Sequence, residues 1–151
     1  MSRISKDDYY LNIAAAVSLR STCLKRRYGC VIVKNDEIIA TGYNGAPRGY
    51  DNCCDIHTEC PRKKKASNSG DYSDCPAVHA EQNAMLSASR RDMLGATLYL
   101  YGEEHQNDGS WKPLDKNTPC PICMRMIRNS GVTTITTKEG SIPVMMYDLV
   151  K

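Results

Sequence analysis

Four residues in two short segments have the types and spacing of a catalytic metal site. His79 and Glu81 lie in the segment His-Ala-Glu, and Cys120 and Cys123 lie in the segment Pro-Cys-Pro-Ile-Cys. Two cysteines three residues apart, across the first turn of a helix, can bind one zinc ion through both sulfurs, and a histidine can add a nitrogen. Three protein ligands leave the fourth tetrahedral position open for water, which is typical of catalytic zinc.

Glu81 lies two residues after the histidine, too close to be a comfortable fourth ligand but well placed to reach the water. It would then carry protons during the reaction. The alternative is a structural zinc site built on Cys120 and Cys123, with Glu81 only a carboxylate at the start of a helix. A structural site needs no carboxylate beside an open coordination position, so the presence of Glu81 favours catalysis.

The apolar spacing and turn residues predict the elements that must position these groups. In chain order they are helix 6–20, strand 28–33, strand 37–42, helix 79–91, strand 97–101, helix 121–130 and strand 132–136. Asn35 and Asp36 predict the turn of a hairpin, and Gly131 ends the last helix. Residues 142–149 fit a strand or a helix equally well. This order predicts an α/β fold, a mixed sheet with helices on its faces, in one domain over residues 1–151.

Composition narrows the classes of protein further. The chain has 151 residues, eight of them Cys, and a formal net charge of +3. No secretory signal or membrane-spanning run is visible at the N-terminus or elsewhere, so we expect a cytoplasmic protein with no membrane partner. In that compartment cysteines serve as metal ligands, nucleophiles or small buried residues more often than as disulfides. Cys30, inside an apolar strand, is expected to be a small buried residue.

His-x-Glu combined with Pro-Cys-x-x-Cys is the known signature of zinc-dependent base deaminases. With Ser21-Thr22-Cys23, Gly29 and the run from Thr41 to Gly49, the sequence resembles the cytidine deaminase superfamily, and within it the deoxycytidylate (dCMP) deaminases. The resemblance covers roughly residues 8–136. It implies a three-layer α/β/α sandwich with a five-stranded mixed sheet. It also implies hydrolysis of dCMP to dUMP and ammonia, a homohexamer, and regulation by dCTP and dTTP.

Residues of the hairpin and the loop after it are candidates for contacts with the substrate or an effector. The resemblance implies that Asn44 contacts the substrate, and Ala80 beside the histidine ligand is a further substrate-binding candidate. Lys25, Arg26 and Arg27 are candidates for binding the 5′-phosphate, because they stand near the start of the hairpin. Tyr43, Gly45 and Arg48 are candidates for an effector site. The alternative for Asn44 is a plain turn residue, and the alternative for the three basic residues is a solvated surface cluster. The alternative for the effector candidates is an ordinary Pro-Gly loop.

The long loop 43–76 holds four cysteines and needs a stabiliser. A second, closed zinc site would supply one, and several members of the resembled family carry such a site. The best four ligands are Cys23, Cys53, Cys60 and Cys75. His57 is an alternate for Cys60, and Cys54 is an alternate for Cys53. The other interpretation is a loop with unligated thiols.

Residues 102–118 depart from the resembled pattern, in which the strand runs almost directly into Pro-Cys. This insertion contains Trp111. It would line the substrate pocket, cover the pocket, or mediate subunit contact. The default interpretation is a surface loop with none of these roles. The aromatic segment that many relatives have after the last strand is also missing. Other substrates therefore stay open: dCTP, a nucleoside such as cytidine, or an adenosine in tRNA, for which a charge of +3 is low. A non-catalytic zinc module that binds nucleotides is the alternative of a different class.

Overall fold

A mixed β-sheet with helices on both faces forms the centre of the molecule. The computed structural model describes residues 2–65 and 73–148. The helices are α1 (Lys6–Ser18), α2 (Cys53–Ile56), α3 (Ala80–Leu86), α4 (Arg90–Met93) and α5 (Pro121–Ser130), followed by a 3-10 turn at Val144–Met146. The strands are β1 (Arg26–Lys34), β2 (Glu37–Tyr43), β3 (Thr97–His105), β4 (Trp111–Pro113), β5 (Thr134–Thr137) and β6 (Gly140–Pro143).

The order of strands in the sheet is β2-β1-β3-β5-β6, and β4 pairs with β3. Strands β3 and β5 are parallel, while every other pair is antiparallel. Helix α5 lies in the crossover between β3 and β5, as a parallel pair requires. The five strands in this order confirm the predicted five-stranded mixed sheet, and β4 adds a sixth, short strand.

The two faces of β1 bury different residues, as alternation along a strand requires. Val31 and Val33 pack against α1 through Tyr10 and Ala14. Cys30 and Ile32 belong to the other core cluster, with residues of α3 and α5. The three-layer arrangement is thereby confirmed, and Cys30 is a fully buried small residue as predicted.

Two glycines let helices approach the sheet closely, one on each face. A Cβ on Gly29 would lie 1.8 Å from the carbonyl oxygen of Ala14 in α1. A Cβ on Gly42 would lie 2.4 Å from the carbonyl oxygen of Ala80 and from the backbone nitrogen of Ala84, both in α3. The helix that follows His79 is therefore seated directly on β2.

The hairpin turn is confirmed, because Asn35 and Asp36 have φ values of 52° and 63°, as a type I′ turn requires. The single helix predicted over 79–91 is wrong. Two helices occur there, since Ser89 accepts a hydrogen bond from the Asp92 backbone N–H and starts α4 after a break at Ser87.

Other boundaries also differ from the prediction. Strand β3 continues to His105, because β4 pairs with its last three residues and turns the insertion into a hairpin. The ambiguous C-terminal segment begins as strand β6 and continues as the 3-10 turn. Residues 66–72 of the predicted loop, and Leu149, lie outside the described residues. In the part of the chain that is described, no helix has both the length and the apolar character needed to cross a bilayer.

Candidate metal centre and active site

The N-termini of α3 and α5 carry the predicted metal ligands. His79 is the N-cap of α3, and its backbone N–H donates to the Gln82 side chain at 2.9 Å. Cys120 is the N-cap of α5, and its sulfur accepts from the backbone N–H of Cys123 at 3.4 Å. Pro121 at the first helical position and Gly131 in the left-handed conformation fix the start and the end of α5.

His79 Nδ1 lies 3.6 Å from Cys120 Sγ and 3.4 Å from Cys123 Sγ. Zinc–sulfur bonds of about 2.3 Å and a zinc–nitrogen bond of about 2.05 Å at the tetrahedral angle place sulfur and nitrogen ligands about 3.6 Å apart. The two nitrogen–sulfur separations are therefore already close to those of a tetrahedral zinc site, and all three donors lie within 4.8 Å of one another. Among the described residues this is the one set of three or more His, Cys, Asp and Glu donor atoms within 4.8 Å of one another.

The charges at this centre also fit a divalent cation. The Cys123 thiol and His79 lower the pKa of Cys120 to about 4, against the effect of burial. The Cys120 thiolate, burial and Glu81 in turn raise the pKa of Cys123, because a second negative charge beside the first is unfavourable. A bound divalent cation would supply the charge that makes both sulfurs thiolates.

Glu81 is buried with 5% exposure in the first turn of α3. Burial raises the pKa of its carboxyl, while its own backbone N–H, His79 and a hydrogen bond with Cys123 oppose that rise. A raised pKa makes a carboxylate a stronger base, which favours its taking a proton from a water molecule. Glu81 is therefore placed for proton transfer beside the three metal donors.

His79, Glu81 and Cys120 open into a cavity of about 550 Å³. That volume falls within the range of about 300–1,000 Å³ that is usual for small-molecule sites. The other lining residues are Arg26, Tyr28, Leu100, Leu114, Asp115, Lys116 and Thr118. Four of these belong to the insertion 102–118, so the insertion lines the cavity.

The predicted substrate residues lie near this cavity in different ways. Asn44 is buried and bonds to the β1 backbone: its Oδ1 accepts from the Tyr28 N–H at 2.8 Å and its Nδ2 donates to the Arg26 carbonyl at 2.9 Å. Asn44, Lys25, Arg26 and Tyr28 line a second cavity of about 150 Å³, which also includes His79. Ala80 is fully buried, and as the first residue of α3 it has a backbone N–H that no carbonyl of that helix accepts.

The two arginines predicted to bind a phosphate are paired with glutamates. Arg26 Nε lies 2.6 Å from Glu104 Oε2, and Arg27 Nε lies 2.6 Å from Glu103 Oε2. Arg27 also lies 4.4 Å above the ring of Trp111. The structure thus places Arg26 in the lining of the cavity of about 550 Å³ and Arg27 against the insertion hairpin.

The four cysteines predicted to form a second site are near one another. Burial and the thiols of Cys75, Cys53 and Cys60 raise the pKa of Cys23 to about 12, against a hydrogen bond from Ser21. Cys23, Cys60 and Cys75 line the cavity of about 150 Å³, and Cys53 is buried in α2. The alternates are more exposed: the Cys54 sulfur bonds to the Asp55 carboxylate at 3.8 Å, and His57 ends α2.

The three residues predicted for an effector site share a third cavity, of about 490 Å³. The Tyr43 carbonyl accepts from Asn83 Nδ2 of α3 at 2.8 Å, and Gly45 pairs with Val78, next to His79. Arg48 is exposed at the rim. This cavity is therefore connected to α3 through Asn83 and to the residue before His79 through Val78.

Sequence reasoning missed two groups of cavity residues. Tyr28 lies on β1 directly before Gly29, where only the apolar strand pattern was visible. Leu114, Lys116 and Thr118 stand in a polar segment with no periodicity. The one signal that pointed to them was the insertion itself, placed next to Cys120.

The fold and this centre define a class, the zinc-binding deaminase fold with a His-Cys-Cys site and an adjacent glutamate. The family model for the cytidine and deoxycytidylate deaminase zinc-binding region matches residues 4–139. The chain therefore belongs to this family of zinc-dependent deaminases.

Relatives within the family support this membership over most of the chain. The deoxycytidylate deaminase of Mycobacterium phage D29 is 39% identical over 147 residues, which are 93% of this chain and all of that protein. The deoxycytidylate deaminase of Schizosaccharomyces pombe is 38% identical, and the match covers 88% of this chain but only 37% of that protein.

Solved structures agree with this assignment. The dCMP deaminase of cyanophage S-TIM5 in complex with dCMP and dUMP is 25% identical, with a TM-score of 0.60 over 89% of this chain and 83% of that one. The cytidine deaminase of Mycobacterium leprae, at 17% identity and a TM-score of 0.52, shares the fold.

Proposed function

We propose that this protein hydrolyses dCMP to dUMP and ammonia and so supplies dUMP for thymidylate synthesis. The observation that carries the proposal is the donor set of His79, Cys120 and Cys123, with the His79 nitrogen 3.4–3.6 Å from each sulfur, beside buried Glu81 at a cavity of about 550 Å³. Relatives that match most of this chain are named deoxycytidylate deaminases, one of them along its full length. We propose further that residues 1–151 act as a single domain.

The mechanism assigns proton transfer to Glu81. His79, Cys120 and Cys123 would hold a zinc ion, which when bound would supply Lewis acidity that lowers the pKa of a water molecule. Glu81 takes a proton from the water that attacks C4 of the cytosine ring and gives it to N3. Glu81 then moves the second proton to the exocyclic amine, the C4–N bond breaks, and ammonia and the uracil carbonyl result.

Substrate contacts are assigned to residues around the cavity. Asn44 lines the smaller cavity together with His79 and would contact the sugar or base. The backbone N–H of Ala80, which no carbonyl of α3 accepts, would donate to the base. Arg26 and Arg27 are the phosphate residues suggested by the sequence, and Arg26 lines the cavity.

A second, structural zinc is proposed for Cys23, Cys53, Cys60 and Cys75. Its support is that the other three thiols all influence Cys23 and that two of them line the same small cavity with it. The four sulfurs would have to move closer to reach the roughly 3.8 Å separation of a tetrahedral site. Elemental analysis of purified protein tests this: two zinc ions per chain support the site, and one overturns it.

Regulation by dCTP and dTTP is proposed for the cavity lined by Tyr43, Gly45 and Arg48. A nucleotide bound there would act on the catalytic helix through Asn83, which bonds to the Tyr43 carbonyl. We propose in addition a homohexamer and a cytoplasmic location. Sedimentation with and without dCTP tests the assembly, and a monomer in both conditions would contradict it.

Ammonia release from a panel of cytosine compounds tests the proposed reaction. Zinc-loaded protein is expected to release ammonia from dCMP much faster than from dCTP, deoxycytidine or cytidine. Preference for another cytosine compound would reassign the substrate. No release from any of them would favour the alternative, a non-catalytic zinc module that binds nucleotides.

A further inference from the structure

The insertion hairpin forms one wall of the catalytic cavity. Leu114, Lys116 and Thr118 line the cavity from this side, and His79 and Glu81 line it from the side of α3. A substrate whose base reaches Glu81 must therefore place the rest of its structure along this wall or beside β1.

This wall is held in place by backbone pairing and burial. Strand β4 pairs with β3 from Glu103 to His105, and the Leu114 N–H donates to the Gly102 carbonyl at 2.9 Å. Asn117 is 2% exposed, and a Cβ on Gly102 would lie 2.7 Å from its Oδ1. The wall is therefore part of the fold before any ligand binds, as a binding surface requires.

Asn117 holds a buried carboxamide within this wall, although it is not itself one of the residues that line the cavity. Its Oδ1 and Nδ2 have no hydrogen-bond partner among the described residues, although both atoms are buried. A buried carboxamide without a partner is expected to be satisfied by an ordered water or by a ligand. Its neighbours in sequence, Lys116 and Thr118, both face the cavity.

Lys116 differs from Arg26 and Asp115, the two neighbouring charged residues of the cavity, in having no ion pair among the described residues. Arg26 is paired with Glu104 at 2.6 Å, and Asp115 is paired with Lys138 at 3.6 Å. No salt bridge to Lys116 occurs within residues 2–65 and 73–148. Its ammonium therefore gives the wall an uncompensated positive charge.

We infer that Lys116 binds the 5′-phosphate of the substrate and so makes this site specific for a nucleoside monophosphate. The inference rests on the proposed function for the identity of the base and the reaction. A lysine ammonium is a flexible point charge suited to a phosphate dianion at an open rim. Arg26 is already paired with Glu104, so its guanidinium would attract a phosphate less strongly.

The test compares Lys116→Met with Lys112→Met, a matched change of an exposed lysine in the same hairpin outside the cavity lining. We expect Lys116→Met to raise KM for dCMP at least tenfold with kcat within twofold, and to leave KM for deoxycytidine unchanged. Lys112→Met should leave KM for both substrates unchanged, and Lys116→Arg should retain most of the affinity for dCMP. Circular dichroism checks that each variant is folded.

Calorimetric titration with dUMP separates this inference from the proposed reaction. Weaker dUMP binding by Lys116→Met, with no turnover of dCMP by the wild type, would overturn the reaction and keep the phosphate site. Equal KM and equal dUMP affinity in wild type and Lys116→Met would overturn the phosphate site while the reaction stands. An equal rise in KM for dCMP and for deoxycytidine in Lys116→Met would also overturn the phosphate site. A wild-type protein that binds neither dCMP nor dUMP would overturn it as well.

Discussion

The two cysteine clusters of this molecule are built in different ways. His79, Cys120 and Cys123 stand on the first turns of two helices packed against one sheet, and their donor atoms lie 3.4–3.6 Å apart where nitrogen meets sulfur. The four-thiol cluster (Cys23, Cys53, Cys60 and Cys75) stands mostly on loop segments, and no three of its donors lie within 4.8 Å. Regular secondary structure therefore preforms the first site, whereas the second would need its metal to draw the loop together.

Cysteine replacement is expected to give the largest contrast between the two clusters. Cys123→Ser should remove the catalytic zinc and lower kcat at least about 10³-fold with little change in Tm, because α5 is held by its core contacts. Cys75→Ser should lower Tm by roughly 5 °C or more and lose a different zinc ion. Zinc content, ammonia release and thermal melts on both variants check this.

The control for these variants is Cys54→Ser, since Cys54 is exposed and is only an alternate ligand. It is expected to keep both zinc ions, Tm and activity. If Cys54→Ser behaved like Cys75→Ser, the ligand set of the four-thiol cluster would have to be changed. If Cys75→Ser kept its zinc content and its Tm, the closed site would be wrong.

Glycine replacement is expected to give a smaller contrast, between the two faces of the sheet. Gly42→Ala and Gly29→Ala each force a Cβ into the backbone of a packed helix, and each should cost about 2 kcal/mol of unfolding free energy. Only Gly42 lies beneath α3, so only Gly42→Ala should also reduce zinc affinity and kcat. Urea melts and zinc titration measure the two effects, and equal losses of activity would contradict the assignment.

The smallest effect is expected away from both clusters, at the hairpin. The Tyr10 hydroxyl donates to Asp36 at 2.5 Å, a hydrogen bond that raises the pKa of Tyr10 to about 12 and, together with Lys6, lowers the pKa of Asp36. Tyr10→Phe should lower Tm by roughly 2 °C at neutral pH and leave zinc content and activity unchanged.

The pH dependence of this effect follows from the two shifts. Because the pKa of Tyr10 is raised, its hydrogen bond to Asp36 stabilises the fold fully below the ordinary value of 10.0. This stabilisation is lost as pH rises through about 12. Because the pKa of Asp36 is lowered, the same hydrogen bond stabilises the fold above the ordinary carboxyl value of 3.8. This stabilisation is lost as pH falls below 3.8. The Tm difference between wild type and Tyr10→Phe should therefore be largest near neutral pH, and a difference that grew at either extreme would contradict this.

Local sequence signals predicted the parts of the molecule that local physics determines. The spacing of Cys120 and Cys123, the proline between them and the glycine at 131 specify a helix start and end with two sulfurs at one tip. Asn35 and Asp36 specify the turn because their side chains tolerate positive φ.

Features that depend on distant pairing were not predictable in the same way. The cavity wall exists because β4 pairs with β3 and because Asn117 packs on Gly102, and neither contact leaves a periodic pattern. The break at Ser87 was hidden by apolar spacing that continues into Ala88. The pairing of Arg26 and Arg27 with glutamates likewise follows from strand register, which a single sequence does not reveal.

The most direct measurement is ammonia release from dCMP by zinc-loaded wild type and Glu81→Gln, with zinc content determined on the same preparations. We expect one ammonia per dUMP formed by the wild type. We also expect equal zinc in the two proteins and turnover at least about 10³-fold lower in Glu81→Gln. A Glu81→Gln protein that retains zinc and deaminates dCMP near the wild-type rate would contradict the role of Glu81 in proton transfer.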